Sequence, residues 1–88
     1  MKLILYSKPG CHLCEGLHEK LEKIEAFDFD LEIRDITTQA DWMAAYQYSI
    51  PVLMYPTPEG EQALPRFSPR ASVTEMERKL QKYFGISS

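Results

Sequence analysis

Only two cysteines occur in this chain of 88 residues, and just His12 and Leu13 separate them. Thiols so placed can exchange with a disulfide, ligate a metal, or simply pack. A structural cross-link is a poor explanation. Two cysteines cannot supply the multi-bridge framework of a small secreted domain. A Cys11–Cys14 bridge also closes a tiny loop, which removes little entropy from the unfolded chain. If the pair oxidises, the reason is chemistry.

Position sharpens this. Cys11 follows Ser7-Lys8-Pro9-Gly10, a break after an apolar run, and a helical pattern begins beside it. The free N–H groups and positive dipole end of a helix start favour a thiolate. Cys11 is thus the expected exposed nucleophile. Cys14 is expected one turn further on, partly inward beside Leu13 and Leu17. Their spacing puts both sulfurs on one helix face, on neighbouring turns. Cys11 would attack a substrate disulfide, and Cys14 would then resolve the mixed disulfide. Lys8 adds a nearby positive charge, as does His12 when protonated. Incidental burial of both cysteines is disfavoured by Pro9-Gly10 directly before Cys11.

Zinc needs separate consideration, because Cys11, Cys14 and His18 share a helical face with His12 nearby. Structural zinc usually draws ligand pairs from separate segments. No second cluster exists in the sequence, so no metal site is assigned within one chain. His18 reads as a solvated helix residue.

The elements around the pair follow from patterning. Lys2 to Tyr6 reads as a buried strand. Leu13, Leu17, Leu21 and Ile24 form one helix stripe, with Glu15, Glu19, Lys20, Glu22 and Lys23 on the other sides. Asp30 to Asp35 alternates as a half-buried strand. Thr37 or Thr38 is expected to cap a second helix, with Asp41 in its first turn and Trp42, Ala45 and Tyr46 inward. Pro51 to Tyr55 reads as another buried strand, followed by a turn at Pro56-Thr57-Pro58-Glu59-Gly60. Glu61 to Phe67 reads as a weaker strand that Pro65 confines or ends. Ser72 and Glu75 form a capping box for a last helix. Val73, Met76, Leu80, Tyr83 and Phe84 form its inner face, and Gly85 its stop. The helices between the first three strands predict parallel pairing among them. The tight turn predicts an antiparallel fourth strand.

Ile50-Pro51 is the second informative feature. A proline opening a buried strand donates nothing to the ladder. It is either an ordinary trans proline or a cis one that presents the Ile50 backbone to an extended substrate near Cys11. Patterning leaves both open. Of the aromatics before it, Trp42 and Tyr46 read as core, while Tyr48 is a candidate for a substrate-facing surface.

The bulk numbers set outer bounds. Eighty-eight residues suit one domain, spanning 1–88, with one modest core. Charged residues are 26% and the net charge is −3. That gives no reason to expect nucleic acid or an anionic membrane as partner. No apolar run reaches the roughly 18 residues of a membrane helix. Met1 to Tyr6 is too short for a signal peptide's apolar region. A cytoplasmic monomer is the expectation.

The stretch Leu5-Tyr6-Ser7-Lys8-Pro9-Gly10-Cys11-His12-Leu13-Cys14 resembles the active-site segment of glutaredoxins and small thioredoxin-superfamily proteins. Ile50-Pro51-Val52-Leu53 resembles their cis-proline segment. The chain is most similar to short bacterial-type glutaredoxin-like proteins. The resemblance implies an α/β minimal thioredoxin fold, βαβαββα, with a four-stranded mixed sheet and helices on both faces. It makes Cys11 the nucleophile and Cys14 the resolving thiol. It places Lys8 where glutaredoxins contact the glutathione carboxylate, and Ile50 and Pro51 where they hold substrate backbone. His12, inside the pair, joins the substrate-binding set.

Two departures stand out. His12-Leu13 replaces the Pro-Tyr of glutaredoxins between the cysteines. Arg66-Phe67-Ser68-Pro69-Arg70-Ala71-Ser72 contains no glycine where glutaredoxins hold glutathione with a Gly-Gly pair. Close backbone approach to a ligand is what glycine permits. Arg66 and Arg70 read as solvated charge, with pairing to a ligand carboxylate as the alternative. The expected activity is thiol–disulfide oxidoreduction on protein disulfides or glutathione mixed disulfides, with no bound cofactor. Glutathione or a thioredoxin-reductase-type enzyme would supply electrons. The alternatives are a binding module without turnover and a metal- or iron–sulfur-binding homodimer.

Overall fold

Leu3, Ile4, Leu5 and Tyr6 are all buried, consecutive residues on opposite faces of one strand. Such a strand needs cover on both sides, which explains its unbroken apolar run. The computed structural model describes residues 2–25 and 27–84. This strand is β1 (Lys2–Ser7), followed by α1 (His12–Glu22) and β2 (Asp30–Asp35). A 3-10 turn (Ile36–Thr38), α2 (Ala40–Tyr46), β3 (Val52–Thr57), β4 (Gly60–Ala63) and α3 (Val73–Phe84) complete the order. The sheet runs β2-β1-β3-β4, so the fold is α/β with a four-stranded mixed sheet, as the resemblance implies.

Each face of β1 has its own core. Leu3 and Leu5 join Leu53, Leu21, Ile24, Met76 and Leu80 under α1 and α3. Ile4 and Tyr6 join Ile36, with Trp42, Met43, Tyr46 and Ile50 packed against them from the α2 side. On α3, Ser72 Oγ accepts the Glu75 N–H at 3.1 Å, which is one arm of the expected capping box. The expected Gly85 stop lies outside the described residues.

Several expectations change. β1 and β2 are parallel, but β3 is antiparallel to β1. The reason is length. β2 ends at Asp35 beside Ser7, and β3 begins at Val52 beside Tyr6, at the same end of the sheet. α2 has seven residues, about 10 Å of helix. That is roughly half the length of a six-residue strand. It never carries the chain back to the far end, so β3 runs the other way.

Neither Thr37 nor Thr38 caps α2. Asp35 accepts the Thr37 N–H at 2.9 Å and caps the 3-10 turn, and α2 starts after Gln39, which makes no side-chain cap. Ala45 is exposed, and Met43 takes its expected inward place. β3 starts after Pro51, and β4 stops at Ala63, short of Pro65. Leu13, Ile33 and Tyr83 are 51%, 41% and 43% exposed, so three residues expected inward open to solvent. Ile33 lies on β2, an edge strand with one neighbour.

Candidate functional site

β1 delivers the chain to a tight turn ahead of the cysteines. Gly10 has φ +80°, in the left-handed region that glycine enters without steric cost. The Cys11 N–H donates to the Lys8 carbonyl at 3.3 Å and closes the turn. Cys11 is then the N-cap of α1, with φ −87° and ψ 105°. Its Sγ accepts the Cys14 N–H at 3.3 Å. Oxygen side chains usually hold that position. With sulfur in their place, the cap interaction is strongest when the sulfur is a thiolate, because the helix start favours negative charge.

The two thiols are free and their environments differ. Cys11 is half-buried, whereas Cys14 is 2% exposed. Burial pushes the Cys14 thiol up, and the hydrogen bond and charge of Cys11 push it further, to about 12. At neutral pH Cys14 therefore keeps its proton.

The other expected residues separate into two groups. Pro51 lines a groove of about 300 Å³ that starts at His12, next to Cys11 in the chain. His12 lines its mouth, fully outside the core, with Nδ1 3.8 Å from the Glu15 carboxylate. Lys8 is exposed, lies outside that lining and makes no side-chain hydrogen bond or ion pair among the described residues. The Ile50–Pro51 peptide bond is cis. Ile50 packs on Ile4, Tyr6 and Ile36, away from the groove. Its N–H already donates to the Tyr46 carbonyl at 3.1 Å, so of its backbone only the carbonyl is left to meet a substrate. His18 is drawn to Glu22, Nε2 to Oε1 2.6 Å. No group of three potential metal ligands occurs among the described residues.

Three groove residues escaped sequence reasoning. Leu13 belongs to the expected helix stripe, yet it is 51% exposed and borders the groove. Arg66 is more than solvated charge: its Nη1 donates to the Ser49 carbonyl at 2.9 Å, tying the loop after β4 to the Pro51 segment. Lys20 Nζ donates to the Pro69 and Ala71 carbonyls at 2.8 and 2.6 Å and holds the same loop against α1. A lysine among glutamates and an arginine in an aperiodic loop carry no pattern that would have marked them.

A second polar cluster lies on the α2 side. Arg34 on β2 donates to the Tyr6 hydroxyl at 2.6 Å and to Glu61 at 3.0 Å, and it also pairs with Glu32. The Tyr6 hydroxyl donates to Glu61 at 2.8 Å. The guanidinium lies 5.4 Å and 5.5 Å from the ring centres of Tyr6 and Trp42. Burial opposes the charge on Arg34, but the bonds to Glu32, Glu61 and Tyr6 outweigh it and raise its pKa.

Residues 2–81 match the family described as glutaredoxin-like domain (DUF836). The crystal structure of the structural-genomics target protein XcR50 from X. campestris is 28% identical, with a TM-score of 0.60. The match covers 91% of this chain and 96% of that one. Thioredoxin 1 from Thermosipho africanus is 22% identical, with a TM-score of 0.66 and coverage of 98% and 97%. At that identity it supports the fold alone. Among curated proteins, none matches the chain.

Proposed function

We propose that this chain, which belongs to the glutaredoxin-like domain family (DUF836), is a thiol–disulfide oxidoreductase that works through Cys11 and Cys14. The observation that carries the reading is the asymmetry of the pair. Cys11 caps α1 through its sulfur at the end of an exposed turn, and Cys14 holds its proton beneath it.

The steps follow from that asymmetry. Cys11 thiolate attacks one sulfur of a substrate disulfide. A Cys11–substrate bond forms, the substrate's own S–S bond breaks, and the departing thiolate takes a proton from water. Cys11 is then neutral, so its charge and its acceptance from the Cys14 thiol disappear. Of the influences that raise Cys14, burial remains and those from Cys11 are gone. Cys14 loses its proton more readily at the stage where it must attack. It attacks Cys11 Sγ, the intramolecular disulfide forms, and the second substrate thiolate leaves and is protonated. The protein gives up two electrons and the substrate gains them. Pro51 and the Ile50 carbonyl border the approach to Cys11. Lys8 supplies positive charge near it, and His12 adds to it when protonated.

The reading requires no bound cofactor. Glutathione or a reductase returns two electrons to the oxidised pair. The setting that fits is the cytoplasm, where thiols are kept reduced. Among the described residues, no helix is long and apolar enough to cross a membrane.

The test is stoichiometric. Protein reduced beforehand and freed of reductant is mixed with a disulfide, and the thiols released are counted. The wild type is expected to release substrate thiols and to become Cys11–Cys14 disulfide. Cys11→Ser is expected to release none. Equal release from both would remove the proposal.

A further inference from the structure

The groove beside Cys11 continues past the loop after β4. A second concavity of about 420 Å³ lies between that loop and α3, and it shares Leu64, Pro65 and Phe67 with the first. The combined surface is apolar along its length. It carries four cationic side chains, Lys20, Arg66, Lys79 and Lys82. None of the chain's 13 aspartates and glutamates lines it, although the chain as a whole is acidic. Such one-signed lining is not what the composition alone would produce. The acids of α1 lie on its other sides.

The state of these cations matters. Arg66 spends one donor on Ser49 and is held in place with others to spare. Lys79 lies over the Phe67 ring, 5.9 Å from its centre. Neither Lys79 nor Lys82 makes a hydrogen bond or ion pair among the described residues. Among the described residues, the surface thus offers uncompensated positive charge around exposed Leu13 and Tyr83 and half-buried Phe67.

The shape argues for a chain, not a small thiol. From His12 to Lys20 the first concavity follows α1 for about 12 Å. That alone accommodates three or four extended residues at roughly 3.3 Å each. The second concavity extends the path. At the start of α3, Ser72 already takes two backbone donors: its hydroxyl accepts the Glu75 N–H and its carbonyl the Met76 N–H.

We infer that this surface docks an acidic polypeptide segment with apolar side chains, the segment that carries the disulfide reduced at Cys11. The inference rests on the proposed activity and names its substrate class. Apolar side chains of the segment sit on Leu13 and Phe67. Its carboxylates meet Arg66, Lys79 and Lys82. The electron balance is unchanged: the Cys11–Cys14 dithiol becomes a disulfide and gives up two electrons and two protons, and the segment's disulfide takes up both and becomes two thiols.

The test is single-turnover reduction of three disulfides by pre-reduced protein: a symmetrical disulfide of a Cys peptide flanked by Leu and Glu, its Lys counterpart, and oxidised glutathione. The Glu peptide is expected to react about tenfold faster than the Lys peptide at low ionic strength, with the ratio shrinking as salt rises. It is also expected to react faster than oxidised glutathione. The Glu/Lys ratio should fall several-fold in Arg66→Gln. It should also fall in Lys79→Gln/Lys82→Gln, whose ammonium groups make no hydrogen bond or ion pair among the described residues. Equal rates for the two peptides, both above the Cys11→Ser background, overturn the inference and leave the activity standing. Oxidised glutathione reacting fastest overturns it in favour of a small thiol. No reduction of any of the three overturns the activity itself.

Discussion

The two faces of the sheet treat an arginine in opposite ways. On the α2 face, Arg34 is hemmed in by Glu32, Glu61, Tyr6 and Trp42, and its charge is matched by acid. On the α1/α3 face, Arg66 makes one bond to a backbone carbonyl and has no acid beside it in the groove. Paired charge of the first kind holds strands together. Unpaired charge beside a nucleophile is available to a partner. Under the proposed function, the α2 face serves stability and the groove face recognition.

The largest effect should come from the groove face. Cys11→Ser is expected to lower disulfide reduction on the order of 10³-fold or more. Its melting temperature should barely move, because serine also caps a helix start. A variant that is inactive because it is unfolded would blur the division between faces, so both quantities are measured on the same sample.

On the opposite face, Arg34→Met should reverse the pattern. It leaves Glu61 with the Tyr6 hydroxyl alone and Glu32 with Lys2 alone, and it removes the cation from the Tyr6 and Trp42 rings, at a cost of about 1 kcal/mol. Urea unfolding should show that loss, while disulfide reduction stays within about twofold of wild type. A larger loss of activity than of stability would show that the two faces are coupled.

Next comes a pH effect rooted in Cys14. Folding raises its thiol from an ordinary 9.0 to about 12. The folded protein therefore holds that proton more tightly than the unfolded chain does. The resulting stabilisation is complete below about pH 9 and is lost as pH rises toward 12. Stability measured from pH 8 to 11.5 should fall more steeply in wild type than in Cys14→Ala. Parallel curves would mean that the burial of Cys14 carries no such linkage. The smallest effect belongs to Ser72→Ala, expected to cost about 1 kcal/mol through loss of the α3 cap, with urea unfolding as the readout.

The face that chemistry starts from was legible where local pattern decides. The Cys11–Cys14 pair, the β1 run, the Leu17–Leu21–Ile24 stripe and the Ser72 cap each follow from residues close in sequence. The direction of β3 was not legible, because it depends on how far α2 reaches, and helix boundaries are poorly marked by pattern. The α2 cap expected of Thr37 or Thr38 did not form, because both threonines are taken up in a 3-10 turn capped by Asp35 and α2 starts only after Gln39. The groove was the least legible part. Leu13, Lys20 and Arg66 come together only after α1 and the loop following β4 meet, and no spacing along the chain encodes that meeting.

Everything on the groove face depends on the order of events at the two cysteines, Cys11 first and Cys14 second. The direct measurement is intact-mass analysis after mixing each single-cysteine variant with a peptide disulfide and quenching with acid. The account predicts that Cys14→Ser accumulates a mixed disulfide through Cys11 at neutral pH and that Cys11→Ser stays unmodified. Adduct forming on Cys14 in Cys11→Ser, with none on Cys11 in Cys14→Ser, would contradict it.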